Sequence, residues 1–352
     1  HQVAPAVAVG CPVIIKPAGD TPLSCIRFVE ILREAGSGIA DVIKLTAYLV
    51  NPAHFPVFSD VRSKTFPVDP PVSTGVVASS LVVPEALIEI EAFAYVGEKK
   101  LVMPPSPHSN ASYSEGVIAG STMWMGGQVA MDDEGKPQAI GDCPEQLRII
   151  YANQESILKE AGVNFSDLVK INYFYTNPVY YGDLFQTRDK TFKKNPPGDT
   201  VACVRALVDP NLLMETESVA VVPPAKAEYS DPPTTHPSYS FSHVVIADGL
   251  VYISAQVPWD TEGNLISAGD FEGQITQAYE NVASCLNSVG CDYSNVAKLT
   301  YYTTHIGYFE QARQVREQFV GSNPPAVTGT VMDSINNNPR ILCALDAIAV
   351  AP

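Results

Sequence analysis

Three stretches of the chain, ADVIKLTAYLVNPAHF, SDLVKINYFYTNPVYY and SNVAKLTYYTTHIGYF, align without a gap and set Lys44, Lys170 and Lys298 at spacings of 126 and 128 residues. A period of that length is a whole domain, far longer than a solenoid repeat. Other markers keep step with it. Arg62, Arg188 and Arg316 each lie eight residues before the first proline of a Pro-Pro pair, and Thr74, Thr200 and Thr328 each lie three after the second. Each copy therefore folds the same way, and joined copies can pack against one another.

Within a copy the periodicity reads as β-β-α-β-α-β-β. In CPEQLRIIYANQESILKEAG, Leu147, Ile150, Tyr151, Leu158 and Ala161 share one helical stripe, and Gly162 supplies a residue that ends a helix at positive φ. Ile275, Tyr279, Val282, Leu286 and Val289 repeat the stripe before Gly290, as Cys25, Phe28, Val29 and Leu32 do before Gly36. A β-branched and aromatic run follows each helix, then a shorter helix, the Pro-Pro turn and two strands. Before two of the long helices, EGVIAGSTMWMGGQVAM and HVVIADGLVYISAQVPWD read as hairpins that turn at Gly120 and at Asp248-Gly249. The expected division is a truncated, divergent first domain at 1–98, a linker at 99–110, a second domain at 111–222, a linker at 223–238 and a third domain at 239–352. The fold class is α+β.

Composition narrows the function. No apolar run approaches the roughly 20 residues a membrane helix needs, so no membrane partner is expected. A formal charge of −16 opposes nucleic-acid binding, which depends on neutralising phosphates with Lys and Arg. Seven cysteines without CxxC spacing read as reduced, mostly core thiols of a cytoplasmic protein. The six histidines form no HxxxH or HExxH pair, so neither a metal nor a cofactor is expected.

The GQV closing the hairpin at Gly127-Gln128, the helix ending EAG, the strand VAKLTYY, the turn NPP and the final IEIEAFA together resemble the Rid family of reactive-intermediate deaminases, also called YjgF-like or L-PSP. The resemblance implies three units packed as an intramolecular pseudo-trimer, helices outside and sheets around a central barrel, with small-molecule sites in the clefts between units. It also implies a monomeric chain, or a dimer of such chains.

In the family an arginine just after the Pro-Pro turn clamps a substrate carboxylate, and the first glutamate of IEIE positions the hydrolytic water. Here Ser73, Asp199 and Val327 stand at the arginine position, and none can make a bidentate guanidinium contact. The acids survive in two copies, as Glu89 and Glu91 and as Glu215 and Glu217. The third has Ala344 and Asp346. The resemblance therefore implies Glu89 and Glu215 as the catalytic residues; Glu89 and Glu91 share one strand face, where one of two close carboxylates can have its pKa raised. A solvated strand face is the alternative. Expected ligand contacts are Tyr113 and Tyr239 ahead of the hairpins, Ser254, Gln128 and Gln256, and the backbone near Thr74 and Thr200. Arg313 or Arg205 could return a cation to a cleft, with structural ion pairing as the alternative.

Residues 3–36 resemble a piece of aldehyde dehydrogenase, in which Lys16 would meet the cofactor ribose, but no catalytic-cysteine segment follows. The segment either stands in for the missing first hairpin, with Gly10 against Gly120, or is a fusion. These readings converge on a small-molecule enzyme acting on an imine, enamine or similar reactive intermediate, by hydrolysis or isomerisation. The alternatives are a decayed binding or scaffold protein and an endoribonuclease, which the charge opposes.

Overall fold

The protein is described by a computed structural model for residues 23–104, 112–238, 240–321 and 324–352. The first unit runs α1 (Leu23–Glu34), β1 (Val42–Leu49), α2 (Phe55–Thr65), β2 (Val72–Val77), β3 (Ser80–Leu81), β4 (Ile88–Ala94) and β5 (Lys99–Val102). The second runs β6 (Gly116–Ala119), β7 (Thr122–Val129), α3 (Cys143–Ala161), β8 (Leu168–Tyr175), α4 (Tyr181–Thr191), β9 (Gly198–Cys203), β10 (Met214–Val221) and β11 (Ala227–Ser230). The third runs β12 (Val244–Ala247), β13 (Leu250–Gln256), α5 (Phe271–Asn287), β14 (Val296–Thr303), α6 (Phe309–Val320), β15 (Ala326–Val331), β16 (Ser334–Ile335) and β17 (Cys343–Val350). Lys16 and the proposed hairpin substitute lie outside the described residues.

Local chemistry sets these boundaries. Asp142 caps α3 by accepting from Glu145 N, Pro144 follows at the second helical position, and Gly162 closes the helix at φ 76°. Asn51, Asn177 and His305 each accept a backbone N–H two residues on and so start the same short turn in all three units. The tight hairpin turn falls at Asp248 and Gly249, both at positive φ. The two segments read as linkers each add a strand to the next hairpin: β5 pairs with β6 and β11 with β12. Their extended, proline-flanked backbone suits an edge position.

The sheets hold three strands in the order β2-β1-β4 and seven each in the orders β16-β9-β8-β10-β7-β6-β5 and β11-β12-β13-β17-β14-β15-β3. The expected central barrel is not closed by a continuous ladder among the described residues. The units exchange short segments instead. β3 of the first unit pairs with β15 of the third, β16 of the third with β9 of the second, and Ala206 of the second bridges Val77 of the first. Packing completes the ring. β1 and β10 are buried along their whole length and β8 everywhere but Asn172, because helices cover one face and neighbouring units the other, so that even Lys44, Glu215 and Glu217 are taken out of water. Tyr48, Phe174 and Tyr302, equivalent in the three repeats, meet in one inter-unit cluster.

Candidate active site

The first and second Pro-Pro turns are docking edges. Ser114 N and Oγ donate to Pro71 O and Pro70 O at 3.0 and 2.6 Å, and Ser242 N and Oγ donate to Pro197 O and Pro196 O at 3.2 and 2.7 Å. The hairpin of one unit is thereby fixed beside the post-proline strand of the preceding unit, and the two strands form a seam.

In the first seam β2 faces β7. A side chain at Gly126 would lie 3.0 and 3.1 Å from the backbone O and N of Ser73, and one at Gly127 would overlap the carboxyl of Glu215. The paired glycines therefore bring β2 close and leave room for the acid. Glu215, only 5% exposed, has its pKa raised to about 8; burial is the main cause, the Glu217 charge adds to it, and the Gly75 N–H opposes it. Burial, with the Glu115 charge, pushes Tyr113 up to about 12, and Glu215 also acts on it. Arg62 lies over the Tyr113 ring at 4.9 Å and the Phe58 ring at 5.1 Å. Its Nη1 donates to Ser73 Oγ at 2.7 Å and its Nη2 to Ser112 Oγ at 2.8 Å. Gln128 Nε2 donates to Glu115 Oε2 at 2.8 Å. An uncharged buried acid, a phenol, a partly exposed guanidinium and an amide-braced carboxylate thus converge.

Glu217, two residues along the same strand, behaves oppositely. Burial pushes its pKa up, but the Lys44 ammonium and bonds from Thr74, Lys44 and Asn172 outweigh it and hold the carboxyl below its ordinary range. Lys44 Nζ is 2.9 Å away and Asn172 Nδ2 2.8 Å. The expected split of the paired carboxylates is present, with Glu215 as the member that keeps its proton.

The second seam, between β9 and β13, repeats this frame with other contents. Asp199, at the Ser73 position, forms a buried ion pair with Arg188 Nη1. Arg188 Nε donates to Ser240 Oγ at 3.0 Å and the guanidinium lies over Phe185 and Phe241. Ser254 Oγ accepts from Asp199 N at 2.7 Å and donates to Ser242 O at 2.6 Å. Gln256 Nε2 meets His243 Nδ1 at 3.1 Å, as Gln128 meets Glu115. Ala344 replaces the acid.

In the third seam Glu89 is buried and contributes to raising the Tyr301 pKa to about 12, after burial and against Arg316. The hairpin side of this seam falls outside the described residues.

Several expected contacts sit elsewhere. Thr200 Oγ1 turns to the axis, accepting from Lys170 Nζ at 2.9 Å and donating to Asp346 Oδ2 at 2.7 Å. Arg313 is on the surface of α6, paired with Glu310 and Glu317 at helical spacing, so the structural alternative applies to it. Arg205 is 59% exposed and 3.9 Å from Asp333. Tyr239 lies outside the described residues, and Phe241 takes the position of Tyr113, because the hairpins are offset by 128 residues rather than 126: Ser112 and Ser240 meet the arginines, and Ser114 and Ser242 the prolines. The residues not anticipated as ligand contacts are Arg62 and Glu115, although an arginine repeated three times at one offset signalled the first.

Comparison with known proteins follows the same division. The endoribonuclease L-PSP family matches residues 16–96, 103–222 and 233–350. The first match begins inside the segment that resembles aldehyde dehydrogenase. A 2-iminobutanoate/2-iminopropanoate deaminase of Homo sapiens is 32% identical over 111 residues, covering 31% of this chain and 79% of the relative. The RutC family protein YjgH of Escherichia coli (strain K12) is 27% identical over 103 residues, covering 28% of this chain and 77% of its own. A solved chorismatase covers 97% of this chain and 99% of its own, with a TM-score of 0.61 at 12% identity, a likeness of fold across all three units.

Proposed function

The chain belongs to the endoribonuclease L-PSP family in three tandem copies, and from that premise we propose that it is a small-molecule enzyme acting on an imine, enamine or similar reactive intermediate in the first seam. The observation that carries this reading is Glu215, a buried carboxyl with a pKa of about 8 beside Tyr113 at a junction of two units. A neutral Glu215 can hand its proton to an imine nitrogen while water adds to the carbon. The resulting carboxylate takes a proton from the added water to leave a neutral carbinolamine, passes that proton to the amine nitrogen, and takes the hydroxyl proton as the C–N bond breaks, so that the carbonyl forms, ammonia leaves and Glu215 is again protonated. The same group could instead move a proton between carbon and nitrogen. In this reading Tyr113 orients the ligand by its phenol hydroxyl.

That the human relative is a 2-iminobutanoate/2-iminopropanoate deaminase supports a deamination. The charge of −16 weighs against RNA. A binding protein with decayed catalysis is the second reading, favoured by the second seam, where Ala344 stands for the acid. The deciding test is Glu215→Gln, assayed by ammonia release from imines generated in situ. A loss of about 100-fold or more is expected; turnover at the parent rate would remove Glu215 from the mechanism.

A further inference from the structure

Arg62 and Arg188 occupy equivalent positions on α2 and α4, stack on equivalent rings and bind equivalent serines, Ser112 and Ser240. They differ in one partner. Arg188 is 3% exposed and its Nη1 is held by the Asp199 carboxylate. Arg62 is partly exposed, and at the same place it meets only the Ser73 hydroxyl. Among the described residues no carboxylate forms an ion pair with it. Glu115, whose charge acts on the Tyr113 ring beside Arg62, is turned to Gln128, and Asp60 pairs with Lys64.

A guanidinium gains most from a carboxylate, to which it can donate two parallel, charge-assisted bonds. Hydroxyls leave that capacity unused. The second seam also secures its own carboxylate from behind, since Ser254 accepts the Asp199 N–H, whereas Gly126 offers no such group to Ser73.

We infer that Asp199 is a built-in occupant of the second seam and that the residue at positions 73 and 199 decides which seam admits an anion. The first seam is open to a ligand carboxylate on Arg62, and the second is closed by its own. The inference rests on the catalytic reading for the location of the ligand, but its test reads binding alone.

The probes are benzoate and its neutral isostere benzamide, titrated into the full chain by calorimetry, with circular dichroism to verify folding. The parent should bind one benzoate, about tenfold or more tighter than benzamide. Ser73→Asp and Arg62→Met should each erase that preference, the first by recreating the tethered carboxylate. Asp199→Ser should add a second benzoate site. Ser73→Asp and Arg62→Met decide the matter if Asp199→Ser does not fold. A parent without preference for benzoate, an unchanged preference in Ser73→Asp, or a folded Asp199→Ser with one site overturns the inference. Benzoate binding without turnover of any imine would sink only the catalytic reading.

Discussion

Lys44 of the first unit lies 2.9 Å from Glu217 of the second, and both side chains are almost wholly buried. The relation recurs around the ring. Lys298 of the third unit meets Glu91 of the first at 3.0 Å, and Lys170 of the second reaches Asp346 of the third through Thr200. Each unit gives a lysine to the next, so the order of units is written in charge at the centre of the molecule. The same pair separates two neighbouring carboxyls: it keeps Glu217 ionised, and that negative charge helps keep Glu215 protonated.

Removing one member of such a pair leaves the other buried and alone. Lys44→Met should therefore destabilise the fold by roughly 3–5 kcal/mol, whereas Lys44→Met combined with Glu217→Leu should recover much of the loss. Urea denaturation checks both. The Glu217 pKa is lower in the folded chain than in the unfolded one, so its contribution is complete at neutral pH and fades as acid protonates it. A Lys44→Met cost that does not shrink on acidification would contradict this assignment.

Glu215 has the opposite linkage. Its folded pKa of about 8 stands above the ordinary 4.5, so the folded chain holds a proton that the unfolded chain has released. The resulting stability is complete in acid and lost as pH rises through about 8. Glu215→Gln should match the parent at low pH and be the more stable protein at pH 9. Turnover by the parent should fall over the same alkaline limb. A rate that holds steady past pH 9 would mean that a protonated Glu215 is not required.

The repeat, the helix end at Gly162 and the hairpin turns were legible because they depend on residues close in sequence. That Ser73, Asp199 and Val327 stand at one equivalent position after the Pro-Pro turns was legible by alignment. Which acid of the Glu215 and Glu217 pair would be neutral was not, since Lys44 decides it from another unit. Arg313 could have been placed correctly, because Glu310 and Glu317 stand at i−3 and i+4 on its own helix. Tyr239 was matched to Tyr113 by carrying one offset across a connection two residues longer. The serine contacts with the arginines and with Pro70 and Pro196 fix that register.

Gly127 tests the geometry of the first seam independently of charge. A Cβ there would collide with the Glu215 carboxyl, while the backbone at 127 needs no positive φ. Gly127→Ala should push the acid aside and cut turnover by about tenfold or more, with folding retained. An alanine variant at full activity would show that Glu215 is free to work from another position.

A ring closed by its own three units needs no second chain to complete the first seam, whose two walls are β2 and β7 of one polypeptide. Phe174 sits at its hub with Tyr48 and Tyr302, fully buried, so Phe174→Ala should cost about 3–5 kcal/mol and loosen all three units together. Sedimentation should place the parent near its monomer mass of 37.8 kDa, and the Phe174 variant should unfold in one transition at lower denaturant. A parent that sediments only as a trimer of chains would mean that each unit seeks its partners outside its own polypeptide, contrary to the cyclic pairing of Lys44, Lys170 and Lys298 with the units that follow them.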